Sequence, residues 1–200
     1  MKDSLPGAVK MPGARLIVGL GNPGMEYRNS RHNIGFRIAQ AFAEERRVLP
    51  WRKRFHGKIA VGEGWLLLLP QTFMNLSGLA VAGAGSFYHI QAEEILVIHD
   101  DADLPLGEIR FKHGGSSGGH QGLASILQYV RKAEFDRLRF GVGREAGKKA
   151  LDFILEPFLP EDEGCLPALI EQAQRGIDCW LGEGIAMCMN RFNKKNLLAP

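Results

Sequence analysis

His32 and Asp100 stand 68 positions apart and have the chemistry of a general base and the carboxylate that orients it. A carboxylate on one ring nitrogen fixes the imidazole tautomer and leaves the other nitrogen free to take a proton from water. Imidazole ordinarily titrates near pH ~6.5, so such a pair works at neutral pH. Two amides stand in neighbouring motifs, Asn22 in GLGNPG and Asn75 in PQTFMNLSG, and either could support a developing oxyanion. Plainer roles fit the same residues. A histidine at a helix start is also a cap or a surface group, and Asp100 to Asp103 also make a solvated turn. Asn75 just before residue 77 also reads as an N-cap. Phe73 and Met74 also read as core, and Tyr27 as a surface aromatic.

Three other chemistries compete. Gly19-x-Gly21-x-x-Gly24 spells a dinucleotide-binding fingerprint. That site needs a helix opening inside the glycine run, but helical spacing of apolar residues begins only at Ile34. His99, Asp100, Asp101 and Asp103 offer nitrogen and oxygen ligands for a metal within five residues. Metal sites usually draw ligands from several elements, and no second His/Asp cluster accompanies this one. The serines of Gly114 to Gly119 lie in a glycine loop rather than a nucleophile elbow.

The elements that must position these loops alternate. Strands are expected at 15–19, 58–61, 65–69, 95–99, 108–112 and 137–142, with 58–61 and 65–69 forming a hairpin. Helices are expected at 33–47, 77–87, 120–131, 162–181 and 184–191. Alternation of this kind predicts an α/β fold, a mixed twisted sheet between two layers of helices. Polar loops after its strands can then meet at one end of the sheet. The chain has 200 residues, 45% of them hydrophobic and 24% charged, which suits one soluble domain. We expect a loose tail over 1–14, a domain over 15–193 and a second tail over 194–200.

No apolar run reaches the length of a membrane span, and the first residues carry no signal-peptide core. The three cysteines are odd in number and lack metal spacing, which predicts reduced thiols in a cytoplasmic protein. Net charge is only +3, yet residues 1–58 hold 12 Lys/Arg against 4 Asp/Glu and residues 110–150 hold 9 against 3. Two basic blocks on one face would suit a polyanion, although scattered surface charge fits the count equally well.

Taken together, GLGNPGxxYxxxRHNxG, PQTFMNLSG, HDDADLPLG, FKxGGSSGGHxGL and FDRLRFGVGR resemble bacterial peptidyl-tRNA hydrolase. The resemblance runs in order from about Arg15 to Asn193. It implies a single α/β domain, no cofactor or metal, and a cytoplasmic monomeric esterase of translation and ribosome rescue. The partner it implies is peptidyl-tRNA, through the acceptor arm and the nascent peptide, with no membrane. His32 matches the family's general base, Asp100 the acid that keeps it basic, and Asn22 the amide that positions substrate. Tyr27, Phe73, Met74 and Asn75 match residues lining the cleft for peptide and terminal nucleotide. Lys112 and Arg139 match basic positions that hold tRNA phosphate. One departure stands out: Gln121 follows His120 where the family usually has Asn. The family also includes relatives that keep the fold and serve as RNA-processing partners, which leaves a binding module as the alternative.

Overall fold

The most apolar stretches form the middle of the sheet. In the computed structural model, which describes residues 13–130, 134–145 and 147–193, the strands are β1 (Arg15–Gly19), β2 (Arg52–Arg54), β3 (Gly57–Val61), β4 (Trp65–Pro70), β5 (Ile95–Asp101), β6 (Ile109–His113) and β7 (Asp136–Gly141). Their order is β2-β3-β4-β1-β5-β7-β6. The neighbours β4, β1, β5 and β7 are parallel, and β2, β3 and β6 run antiparallel at the flanks. Continuous apolar runs suit central strands buried on both faces. The helices are α1 (Ile34–Glu45), α2 (Ser77–Tyr88), α3 (Gln121–Tyr129), α4 (Ala150–Leu155), α5 (Pro160–Glu163), α6 (Leu166–Glu183) and α7 (Ile185–Phe192).

Alternate strand residues feed two cores, because successive side chains point to opposite faces. Ile17, Leu67, Ile98 and Leu138 pack under Phe42 of α1 and Leu169, Ile177 and Trp180 of α6. Leu16, Val18, Leu68 and Val97 pack under Val81 and Ala84 of α2 and Leu123 and Ile126 of α3. The result is the expected three-layer sandwich. The exposed edge of β6 is covered by one side chain: the Asn193 amide accepts from Phe111 N–H at 2.7 Å and donates to Phe111 C=O at 2.9 Å.

Several expectations need correction. Strand β2, with the sequence Arg-Lys-Arg, carries no apolar alternation and was not expected. The helix expected over 162–181 is two helices, and Pro167, which has no N–H to give, sits in the first turn of α6. Helix α3 begins at 121 because His120 is its cap. Ala14, assigned to the tail, is buried in the core. Residues 1–12 of that tail and residues 194–200 lie outside the described residues.

Helix α1 lies unusually close to the sheet. A Cβ on Gly35 would sit 2.5 Å from the Ile98 carbonyl oxygen and 2.6 Å from Leu20 N, so only glycine fits. Gly35→Ala should therefore lower stability by about 1–3 kcal/mol, read as the urea-unfolding midpoint. An unchanged midpoint would contradict this close backbone contact.

Candidate active site

The parallel strands deliver their loops to one end of the sheet. After β1 the chain turns through Asn22 to a short 3₁₀ turn, Arg31–Asn33, that leads into α1. The Asn33 side chain grips the Asn22 backbone twice, accepting from its N–H at 2.8 Å and donating to its C=O at 2.9 Å. The Asn22 side-chain oxygen in turn accepts from Met74 N–H at 2.8 Å, which ties this loop to the one after β4. With Oδ1 so held, Nδ2 is the donor the amide can offer to a substrate. Arg31 anchors the same turn from behind: its guanidinium lies 3.9 Å from the Phe153 ring centroid and donates to Phe153 C=O at 3.2 Å.

At the end of β5, Asp100 receives two imidazoles on one oxygen. His32 Nδ1 lies 2.8 Å and His120 Nε2 3.1 Å from Asp100 Oδ1. The cap of α3 fixes the proton on His120. Its Nδ1 accepts from Gly122 N–H at 3.1 Å and Leu123 N–H at 3.3 Å, so it carries no hydrogen, and Nε2 is the donor to Asp100. By the same logic His32 donates from Nδ1 to the carboxylate, and its Nε2 is left with a lone pair.

Burial sets the charges. All of Asp100, His32 and His99 are about 3% exposed. Desolvation alone would raise the Asp100 carboxyl, but the charges and hydrogen bonds of His32 and His120 overturn it and hold the group well below the usual carboxylate range. His99 behaves in the opposite way. Burial, with repulsion from His120, pushes it down to about 3, so it stays neutral. Its Nδ1 donates to Asp100 C=O at 2.7 Å.

A cleft of about 490 Å³ opens beside these groups. His32, Asp100, Gln121, Lys112 and Arg139 of the expected residues line it, together with Leu151 and Ile154 of α4. Asn22, Tyr27, Phe73, Met74 and Asn75 stand outside it, on the loops after β1 and β4. Phe73 is 60% exposed and Asn75 is exposed, whereas Tyr27 is half-buried. Met74 is buried, and its sulfur packs where a Cβ on Gly122 would be. It therefore enters the site through its N–H rather than as a side chain lining a surface. Arg139 is not a free cation either, because its Nε donates to Asp101 Oδ2 at 2.7 Å.

The metal ligands weighed in the sequence do not converge. Asp101 is taken by Asp103 N–H and Arg139, and Asp103 lies against Arg144. His32, Asp100 and His120 do bring ligand atoms within 4.8 Å of one another. A metal on His120 Nε2 would, however, move the ring proton to Nδ1, against two backbone N–H groups. That donor set fits an acid–base site better than a cation.

His120 and Arg137 hold the site in ways the sequence barely signals. Histidine is not among the usual N-caps. Buried Arg137 holds the glycine loop by donating to Gly115 C=O and Ser116 C=O. Its only sequence signal is an arginine in an apolar strand.

A sheet end that carries a buried histidine, its carboxylate and a fixed amide defines an α/β protein with a polar site suited to acid–base chemistry. Comparison with known proteins narrows the class. The sequence profile of the family described as peptidyl-tRNA hydrolase matches residues 16–199. The peptidyl-tRNA hydrolase of Symbiobacterium thermophilum is 44% identical over 187 residues, covering 90% of this chain and 99% of that one. That of Thermus thermophilus is 42% identical over 183 residues, covering 91% and 97%. The crystal structure of the Acinetobacter baumannii peptidyl-tRNA hydrolase superposes with a TM-score of 0.85 at 34% identity, covering 92% of this chain and 96% of that one. The chain belongs to the peptidyl-tRNA hydrolase family.

His120→Ala removes one of two hydrogen bonds to a buried carboxylate. Such bonds are worth about 1.5–3 kcal/mol, so turnover should fall roughly ten- to hundredfold with KM little changed. Steady-state kinetics check this, and an unaltered kcat would remove His120 from the arrangement.

Proposed function

We propose that this chain hydrolyses the ester between the peptide and the 3′ ribose of peptidyl-tRNA, releasing peptide and free tRNA. The observation that carries the reading is the buried 2.8 Å contact between His32 Nδ1 and Asp100 Oδ1, which leaves His32 Nε2 as a base. His32 Nε2 takes a proton from water as the oxygen attacks the ester carbonyl carbon. Asn22 Nδ2 donates to the oxyanion of the tetrahedral intermediate. The intermediate collapses, the bond to the ribose 3′ oxygen breaks, and that oxygen recovers the proton from His32. Asp100 remains ionised throughout, because its two imidazole partners favour the anion.

An ester is activated enough for this dyad to act without a covalent nucleophile or a metal. Phe73 offers an exposed ring on which a terminal base can stack. Tyr27, Asn75 and Gln121 offer polar contacts to the peptide and the terminal nucleotide. Lys112 and Arg139, on neighbouring strands beside the cleft, hold phosphate. Arg139 does so as the cationic half of its pair with Asp101. The free thiols Cys165, Cys179 and Cys188 accord with a cytoplasmic setting, and no described helix is long and apolar enough to cross a membrane.

General-base catalysis contributes roughly 10²–10⁴-fold. His32→Ala should therefore lower turnover of peptidyl-tRNA by about that factor, assayed in EDTA, in a protein that still melts cooperatively. Near-native turnover by the variant would overturn the assignment.

A further inference from the structure

The β2–β3 hairpin carries charge that the catalytic reading does not use. Residues 46–62 contain six Lys/Arg and no Asp/Glu. Arg52, Lys53, Arg54 and Lys58 take part in no ion pair among the described residues, whereas Arg46 is paired with Asp178. Lys53 and Lys58 are direct cross-strand partners. Like charges directly opposite one another on a sheet destabilise the pairing. Charge on an edge strand does discourage unwanted strand addition, but Arg52 and Lys53 serve that purpose without Lys58, which stands one strand further in.

The hairpin is also built stiffly and points toward the site. Its tip residues Phe55 and His56 both adopt the left-handed conformation, with φ of 52° and 51°, which bulky residues rarely accept. The Arg54 guanidinium is stacked 3.9 Å from the Phe87 centroid and 4.8 Å from that of Phe55. Gln71 N–H donates to His56 C=O at 2.8 Å, which fastens the tip to the loop that carries Phe73 and Asn75. The sheet order places β2 three strands from β1 on one side and β6 three strands away on the other. At ~4.8 Å per strand, each lies about 14 Å from the centre of the site.

We propose that the β2–β3 edge is a second phosphate-binding surface, which holds the tRNA body of the substrate on the flank opposite Lys112 and Arg139. This rests on the hydrolase reading, because the same polyanion must reach both flanks. Repeated phosphates relieve the Lys53–Lys58 repulsion, and release of their counterions supplies salt-dependent affinity.

The test compares wild type with an Arg52→Gln/Lys53→Gln/Lys58→Gln variant, which spares the stacked Arg54. Binding of full-length deacylated tRNA is measured against salt, alongside hydrolysis of a short peptidyl-nucleotide ester. We expect Kd to rise ~10-fold or more at 0.1 M salt and the salt slope to fall by about 2. Turnover of the short ester should be unchanged, and the melting midpoint should be no lower than wild type, because the Lys53–Lys58 repulsion is removed. If the triple variant does not fold, Lys53→Gln alone should lower the slope by roughly 0.7–0.9. Unchanged tRNA affinity and slope would overturn the proposal. So would equal losses on tRNA and on the short ester. Failure of wild type to cleave the short ester would instead count against the hydrolase reading and leaves the tRNA-binding comparison to decide this surface.

Discussion

One carboxylate oxygen organises the site. Asp100 Oδ1 takes N–H groups from His32 and His120 at the end of a central strand, almost entirely buried at the wall of the cleft. A buried carboxylate without such donors would be costly and would gain a proton. With them it stays an anion, and an anion there dictates where each imidazole keeps its hydrogen. The lone pair on His32 Nε2 is thus a consequence of the helix cap at His120 as much as of the dyad itself. The α3 backbone, through Gly122 and Leu123, specifies the acid–base state of a group one strand connection away.

The surrounding fold keeps that oxygen in place. Parallel β1, β4, β5 and β7 point their loops to the same end. Gly35 lets α1 rest on the backbone of Leu20 and Ile98, which brings His32 over Asp100. Asn33 and Met74 then lock Asn22 between two loops, which holds its side-chain amide in one orientation. Arg31 and Arg137 serve as buried anchors for α4 and the glycine loop. Their desolvation, which lowers both guanidiniums from their ordinary values, is offset by carbonyl acceptors and stacked rings.

Much of this was legible in the sequence because apolar runs and polar strand ends leave clear marks. The central strands, both helical layers and the meeting of His32 with Asp100 follow from patterning and chemistry. The helix after the glycine fingerprint opens only at Ile34, and two of the fingerprint glycines pack closely: a Cβ on Gly19 would meet the Gly35 carbonyl oxygen and one on Gly21 the Phe36 ring. What stayed hidden had no periodic signal. Strand β2 is three cations held by its neighbour's backbone, and the two-residue interruption before α6 is a local matter of Pro167. The Arg139–Asp101 pair and the burial of Met74 depend on packing between distant segments, so motif matching gave their residue types but not their environments.

The site depends on where two imidazoles hold their protons, and these positions can be observed directly. Long-range proton–nitrogen NMR correlations of ¹⁵N-histidine-labelled protein, above the pH at which the imidazoles are protonated, report which ring nitrogen carries hydrogen. The geometry predicts hydrogen on Nδ1 of His32 and on Nε2 of His120. Hydrogen on His32 Nε2, or on His120 Nδ1, would contradict it.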